Sequence, residues 1–181
     1  MQNMKVLIYL LLVPTFAVAQ APSKVLVATA KEVMVDLVSP GTLACIGGIP
    51  TNNPQGPPCS PETQQILIAY RVSTTGYQEV TGSAASLING QVMVVTHCRL
   101  DSNYYGHCWG HFVWSVPGAG GLWEGTWGGM QDMITNNISY TAVGFGVGGK
   151  LGGLELKWEA AYTGPGPGLG VARIQSAAQP Q

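Results

Sequence analysis

The chain has 181 residues, of which only 9% are charged, and its formal net charge is -1. This length suits one domain with a sizeable hydrophobic core. The low charge excludes the basic face that nucleic-acid binding requires, and no Lys or Arg cluster is present that would hold an anionic membrane surface.

The first segment, 1–19, has the organisation of a secretory signal peptide. It carries one lysine, an apolar run over 6–13 and the small-residue sequence Ala17-Val18-Ala19. The apolar run is too short to span a bilayer, and Pro14 interrupts it. We therefore expect a mature chain that begins at Gln20, is secreted to the extracellular space or the periplasm, and contains no integral membrane segment.

Four cysteines follow the signal peptide, and an even number in an exported chain favours disulfides over metal ligation. The C-x-x-C pairs that are typical of zinc sites are absent. Four cysteines permit three pairings. Proximity in the sequence favours Cys45 with Cys59 and Cys98 with Cys108.

The first strand is predicted over 25–38, where Val33, Val35 and Leu37 alternate with polar or flexible residues at Glu32, Met34 and Asp36. Ser39-Pro40-Gly41 ends it. The following segment, 39–63, is rich in Pro, Gly and Asn, which predicts an irregular surface loop clipped by its two cysteines. Such a loop is either a binding element or a rigid connection without a partner.

A second strand is predicted over 66–73, and Gly76 would end it. Asn89-Gly90 then favours a tight hairpin turn between strands at 77–88 and 91–99. Counting back from this turn gives a register. It places Gly82 opposite His97, Ala84 opposite Val95, and Ser86 opposite Met93.

The pair Cys98–Cys108 would set the register of the next hairpin, with Trp109 opposite His97 and His111 opposite Val95. His97, His107 and His111 would then share one face, with diagonal neighbours roughly 7–8 Å apart at Cα. That spacing permits a Zn or Cu site. The alternative is that polar histidines on a solvent-facing surface bind nothing.

The segment 120–163 combines alternating apolar residues with glycine-rich turns. Trp123, Gly125, Trp127 and Gly129 share a face, which suits a sharply bent barrel strand. Strands are also predicted over 138–147, 154–163 and 171–174. In the second of these one set of residues is predicted to be buried and the other exposed: Leu154, Leu156, Trp158, Ala160 and Tyr162, against Glu155, Lys157 and Glu159.

Together these elements predict an all-β fold, an antiparallel meander closed into a barrel of about eight strands. A two-sheet β-sandwich is the alternative. The predicted domain covers 20–175, including the clipped loop 39–63, and is followed by a flexible tail at 176–181.

The segments GLWEGTWGG and GVGGKLGGLELKWEAAYTG resemble the closing hairpins of a small barrel superfamily. That superfamily includes allene oxide cyclases, dirigent proteins and uncharacterised secreted bacterial relatives. The resemblance covers roughly the last third of the mature chain and consists of glycines with aromatic partners. The resemblance implies a closed barrel, and it suggests the activity of a barrel-type isomerase or cyclase as one alternative function. It carries over no catalytic residue.

The aromatic residues suggest a mouth that binds a small apolar or glycan-like ligand. The residues selected for it are Trp109, Trp123, Trp127, Tyr104 and Tyr105. A small barrel has little free interior, so these side chains could instead fill the core. Glu124, between Trp123 and Gly125, is expected to point outwards.

No catalytic residue is predicted, because serine-nucleophile motifs, P-loops and dinucleotide fingerprints are absent. We therefore expect a secreted, non-enzymatic barrel whose partner is a small molecule, without a cofactor and without nucleic acid. A barrel-type isomerase or cyclase, a His-metal protein and a structural envelope or matrix protein are the alternatives. The sequence does not determine the oligomeric state.

Overall fold

The structure, a computed structural model, describes residues 24–48, 51–52, 59–60, 62, 64–164 and 166–177. These contain nine strands and almost no helix. The strands are β1 (Leu26–Ser39), β2 (Thr42–Ile46), β3 (Gln65–Gly82), β4 (Gln91–Leu100), β5 (Tyr105–Val116), β6 (Gly121–Asp132), β7 (Asn137–Val147), β8 (Leu154–Tyr162) and β9 (Gly168–Ser176). A short helix α1 (Ala85–Ile88) and a 3₁₀ turn (Pro117–Ala119) complete the fold.

Eight of the strands form a closed antiparallel barrel. The order is β1-β9-β8-β7-β6-β5-β4-β3, and pairing between β3 and β1 closes the ring. β2 lies outside the ring and pairs with the first part of β3, from Thr42 opposite Ala69 to Ile46 opposite Gln65. The predicted barrel is therefore confirmed, and the sandwich alternative is wrong.

The long strand β3 serves both the barrel and the outside strand. Its second part pairs with β1 and its first part with β2, so the chain must turn between those two partners. Gly41 allows this turn, since its φ is +77° and a Cβ there would lie 2.4 Å from the carbonyl oxygen of Ala69. A side chain at this position would push β2 away from β3.

One end of the barrel is plugged by apolar side chains. Ile88 of α1 is fully buried there with Val116 and Leu151. The indole N–H of Trp123 donates a 2.8 Å hydrogen bond to the carbonyl oxygen of Leu87, which ties α1 to the barrel wall. This end therefore has a packed core.

Glycines make room for large rings inside the barrel. A Cβ on Gly170 would lie 1.9 Å from the indole of Trp158, so the ring occupies the space above this residue. The inward set predicted for β8 is confirmed, because Leu156, Trp158 and Ala160 are buried. The combination of glycine and tryptophan thus builds this part of the inner wall.

The predicted hairpin at Asn89-Gly90 is wrong. Residues 85–88 form α1, Asn89 has φ -73° and not the positive φ of a type I′ turn, and β4 begins opposite Gly76. Gly82, Ala84 and Ser86 therefore do not face β4 as predicted. The physical reason is burial, since Ala84 and Ile88 fill the plugged end and outweigh the local turn preference.

Four other expectations need correction. Gly76 does not end β3, which continues to Gly82, and residues 42–46 of the predicted irregular loop form β2. Glu32 points into the barrel, whereas Val35 and Leu37 are exposed. The proposed signal peptide, parts of loop 39–63 and residues 178–181 lie outside the described residues, and Ser176 belongs to β9.

Both favoured cysteine pairings are confirmed as disulfides, Cys45–Cys59 and Cys98–Cys108. They belong to a second, smaller core cluster with Ile66, Ile68 and Leu100. Within the described residues, no helix has the length and apolar character needed to cross a membrane.

Candidate functional site

The barrel is not filled beyond its plugged end. A cavity of about 490 Å³ lies inside it, within the size range of small-molecule sites. Exposed residues of its lining form the mouth, including Met34, Asn136 and Pro167. The packed-core interpretation of the aromatic residues is thus correct for one end of the barrel only.

Aromatic rings line the apolar part of the cavity. Tyr77 stacks on Trp114 with ring centroids 4.1 Å apart, and Trp158 meets both rings edge-on at 5.3 and 5.6 Å. Phe112 and Ala142 also line it. This wall is preformed, because each ring is fixed by its neighbours.

A buried carboxyl group, that of Glu32, also lines the cavity. Its residue is only 4% exposed. The hydroxyl of Tyr140 donates a hydrogen bond to its Oε2, and the indole N–H of Trp158 donates to the Tyr140 hydroxyl at 2.9 Å. Tyr162 is a further hydrogen-bond partner of the carboxyl group. Among the described residues, Glu32 is therefore held by neutral donors and by no cation.

Burial raises the pKa of Glu32 above its usual value, and the hydrogen bonds from Tyr140, Tyr162 and Trp158 only partly oppose this. Burial and the negative charge of Glu32 also raise the pKa of Tyr77 and of Tyr140. The tyrosines thus remain protonated donors. The carboxyl group is in the condition expected of a general acid or of a ligand anchor.

A second, more polar wall comes from β3 and β4. Arg71 faces the cavity opposite Thr96, and Ser73 and Thr75 follow it along β3 with their side chains buried. Burial lowers the pKa of the Arg71 guanidinium below its usual value. The described residues therefore place one cation and three hydroxyl groups on this side.

Only one of the five predicted ligand residues, Trp127, lines the cavity. Trp123 is buried in the plugged end and Tyr104 packs against the second core cluster. Trp109 and Tyr105 are exposed outside the barrel. These four side chains therefore lie away from the cavity. Counting aromatic residues does not reveal which face of a strand points inwards.

The predicted histidine face exists, and it lies outside the barrel. The register is confirmed, with Val95 opposite His111 and His97 opposite Trp109. The imidazoles of His97 and His107 lie nearly parallel to the indole of Trp109, at centroid distances of 6.1 and 5.4 Å. No three His, Cys, Asp or Glu side chains of the described residues are placed to hold a metal ion. The arrangement thus gives no support to the predicted Zn or Cu site.

Sequence reasoning missed Glu32 and Arg71. A signal was present for Glu32, because Ala28 and Ala30 are the two preceding inward positions of β1 and period two leads from them to Glu32. Val33 and Val35, at the alternate positions of β1, obscured this signal because valines are expected to face the core. Glu124, by contrast, is exposed as predicted.

Replacing Glu32 with Gln should change how stability depends on pH. Below about pH 4.5 the carboxyl is protonated in both states, but at higher pH it ionises first in the unfolded chain, since its folded pKa is raised. The wild type therefore loses stability as pH rises from about 4.5 through the folded pKa, at about 1.4 kcal/mol per unit of difference between the two pKa values. Gln avoids this loss, so the melting temperature of the variant relative to wild type should rise with pH.

Glu159→Gln provides a control of opposite sign. Lys157 and Arg173 pair with Glu159 on the barrel exterior and lower its pKa, so its contribution is present above the unfolded pKa and lost on acidification. Melting curves at several pH values would measure both variants. A difference between Glu32→Gln and wild type that does not change with pH would contradict the burial argument.

Comparisons with models of protein families, with curated proteins and with solved structures found no match to this chain, so the resemblance to allene oxide cyclases and dirigent proteins stays a prediction.

Proposed function

We propose that this protein is a secreted binding protein that holds a small, largely apolar molecule inside its barrel. The observation that carries the proposal is the open cavity of about 490 Å³, into which a buried carboxyl group is directed. A barrel that served only as a structural unit would gain stability by filling this space. Retention of a cavity lined with rings and a few polar groups is typical of ligand sites.

Filling the cavity should abolish binding. Ala142 of β7 lines it, and Ala142→Phe would project a ring into the space next to Trp158, its partner in the β7–β8 register. The neutral fluorescent probe N-phenyl-1-naphthylamine, titrated into wild-type protein, should bind with enhanced emission. We expect at least about tenfold weaker binding in the variant, equivalent to about 1.4 kcal/mol.

Val143→Phe is the matched control, because Val143 is the next residue of β7 and lies exposed on the outer face. It should bind the probe within about twofold of wild type. Ala142→Leu adds less volume and should give an intermediate loss, which separates cavity filling from misfolding. Unchanged probe binding by folded Ala142→Phe would place the binding elsewhere and overturn the proposal.

A catalytic use of the same cavity is the second candidate, that of a barrel-type isomerase or cyclase. The favouring observation is the position of Glu32, whose raised pKa and hydrogen bond from Tyr140 suit proton transfer to a bound molecule. The test is incubation of a retained ligand with wild type and with Glu32→Gln, followed by chromatography. Conversion to an isomer by wild type alone would support catalysis, whereas unchanged ligand in both would leave binding as the function.

A further inference from the structure

We infer that the ligand of this cavity is a monoanion with an apolar body, and that Arg71 receives its carboxylate-type group. The inference rests on the proposed function and specifies the chemical class of the molecule bound. It follows from two polar groups in the cavity wall that lack partners among the described residues, Arg71 and the indole N–H of Trp114.

The guanidinium of Arg71 has no acidic partner among the residues that the structure describes. All nine Asp and Glu residues of the chain fall within the described ranges, and the ion pairs formed there join Lys31 to Glu79, and Lys157 and Arg173 to Glu159. A partly buried cation without a counter-ion costs free energy, and a ligand carboxylate would remove that cost. The planar fork of Arg is also the side chain best suited to bind a carboxylate through two parallel hydrogen bonds.

The surroundings of Arg71 favour an anion over a neutral group. Thr96 lies opposite it, and Ser73 follows at the next inward position of β3. Their hydroxyl groups are buried and available as donors around a carboxylate. The nearest acidic residue of the cavity, Glu32, belongs to a different part of the wall, where it pairs in register with Tyr77.

The separation of these two parts gives the ligand an orientation. Arg71 and Tyr77 are six residues apart on β3, roughly 20 Å at about 3.3 Å per residue. The charged group would thus lie at one end of the cavity and the apolar body would extend towards the rings of Tyr77, Trp114 and Trp158. A carboxylate beside Glu32 is disfavoured, since the described residues of that part of the wall offer it no cation and an ionised Glu32 would repel it.

Trp114 supplies the independent observation. Its residue is only 2% exposed, it lines the cavity, and its indole Nε1 is buried without a hydrogen-bond partner among the described residues. A buried donor left unsatisfied costs about 1–3 kcal/mol, which an acceptor atom on the ligand would recover. Trp114 stacks on Tyr77 in the ring-lined part of the cavity, so this acceptor would lie on the body of the ligand, apart from the anionic group at Arg71.

Matched pairs of probes test the charge directly. We would measure binding of 4-phenylbutyrate and of decanoate, each against its own primary amide, by displacement of N-phenyl-1-naphthylamine from wild-type protein. The acid and the amide have nearly the same size, so the comparison isolates the charge. We expect each acid to bind at least about tenfold more tightly than its amide, with the preference reduced by salt.

Arg71→Gln should remove this preference. The acids should bind at least about tenfold more weakly than to wild type, while the amides change by less than about twofold. Arg99→Gln is the matched control, because Arg99 lies three residues further along β4 than Thr96, the partner of Arg71, and is exposed on the outer face. It should leave all four affinities unchanged.

Equal binding of acids and amides by wild type, or an acid preference that survives in Arg71→Gln, would overturn the inference while leaving the cavity-binding proposal intact. Failure of the neutral dye and of every probe to bind wild type would overturn the proposed function itself. If Arg71→Gln does not fold, Arg71→Lys is the deciding variant. Lysine keeps the positive charge but lacks the planar guanidinium that binds both oxygens of a carboxylate. It should keep the preference for acids at lower affinity, and equal affinity for acids and amides in this variant would contradict the pairing.

Discussion

Replacing Trp158 with alanine should lower the free energy of unfolding by about 3–5 kcal/mol, among the largest effects expected of any single substitution in this chain. The residue is only 1% exposed and its ring packs edge-on against Tyr77 and Trp114. It also occupies the space above Gly170. Its loss would leave a void that the rigid, closed wall cannot collapse to fill. Chemical denaturation followed by circular dichroism measures the change.

Trp109→Ala is the matched control, since it removes the same side chain from the outer face of the same barrel. Trp109 is 43% exposed and contacts the imidazoles of His97 and His107. We expect a loss below about 1 kcal/mol. Losses of equal size in the two variants would contradict the assignment of inner and outer faces.

The Trp158 substitution should also disturb the buried carboxyl group. The indole N–H donates to the Tyr140 hydroxyl, which in turn donates to Glu32. Trp158→Phe keeps most of the packing and removes only this donor, so it should cost less stability than Trp158→Ala. Comparing the two variants separates ring packing from the hydrogen-bond chain.

The strands near the C terminus could be predicted because charge marks their outer face. In β8 the charged residues Glu155 and Lys157 alternate with Leu156 and Trp158, so the period of two has only one plausible phase. The register of β4 and β5 was also predictable, since the Cys98–Cys108 pair fixes it. In both places the local sequence pattern and the closed barrel require the same strand register and the same inward-facing residues.

The cavity could not be predicted, because the phase of β1 depends on distant strands. The large rings of Trp114, Trp123 and Trp158 take up the interior from β5, β6 and β8, so β1 contributes the small residues Ala28 and Ala30 to the inside. Larger apolar residues of β1 then fall outside, which reverses the usual rule that apolar residues point inwards. Glu32 is inside as a consequence, and the period of two that leads to it from Ala28 and Ala30 is informative only once these small residues are known to face inwards.

Removing the Cys98–Cys108 disulfide is expected to have the other large effect. The bond closes a loop with a sequence separation of 10, for which the loss of chain entropy in the unfolded state corresponds to about 3 kcal/mol. We expect the double variant Cys98→Ala, Cys108→Ala to lose about this much free energy of unfolding. Both cysteines are buried in the second core cluster, against which Trp127 of the cavity wall also packs. Binding of the neutral dye should therefore weaken as well.

The double variant Cys45→Ala, Cys59→Ala separates the two effects. The Cys45–Cys59 bond has a sequence separation of 14, so its loss should cost nearly the same free energy of unfolding, about 3 kcal/mol. This bond, however, anchors β2, which pairs with β3 outside the closed ring. Dye affinity should thus stay within about twofold of wild type while stability falls by a similar amount. If this variant loses affinity as strongly as Cys98→Ala, Cys108→Ala, the cavity depends on the outside strand and the eight-stranded ring does not define the binding site by itself.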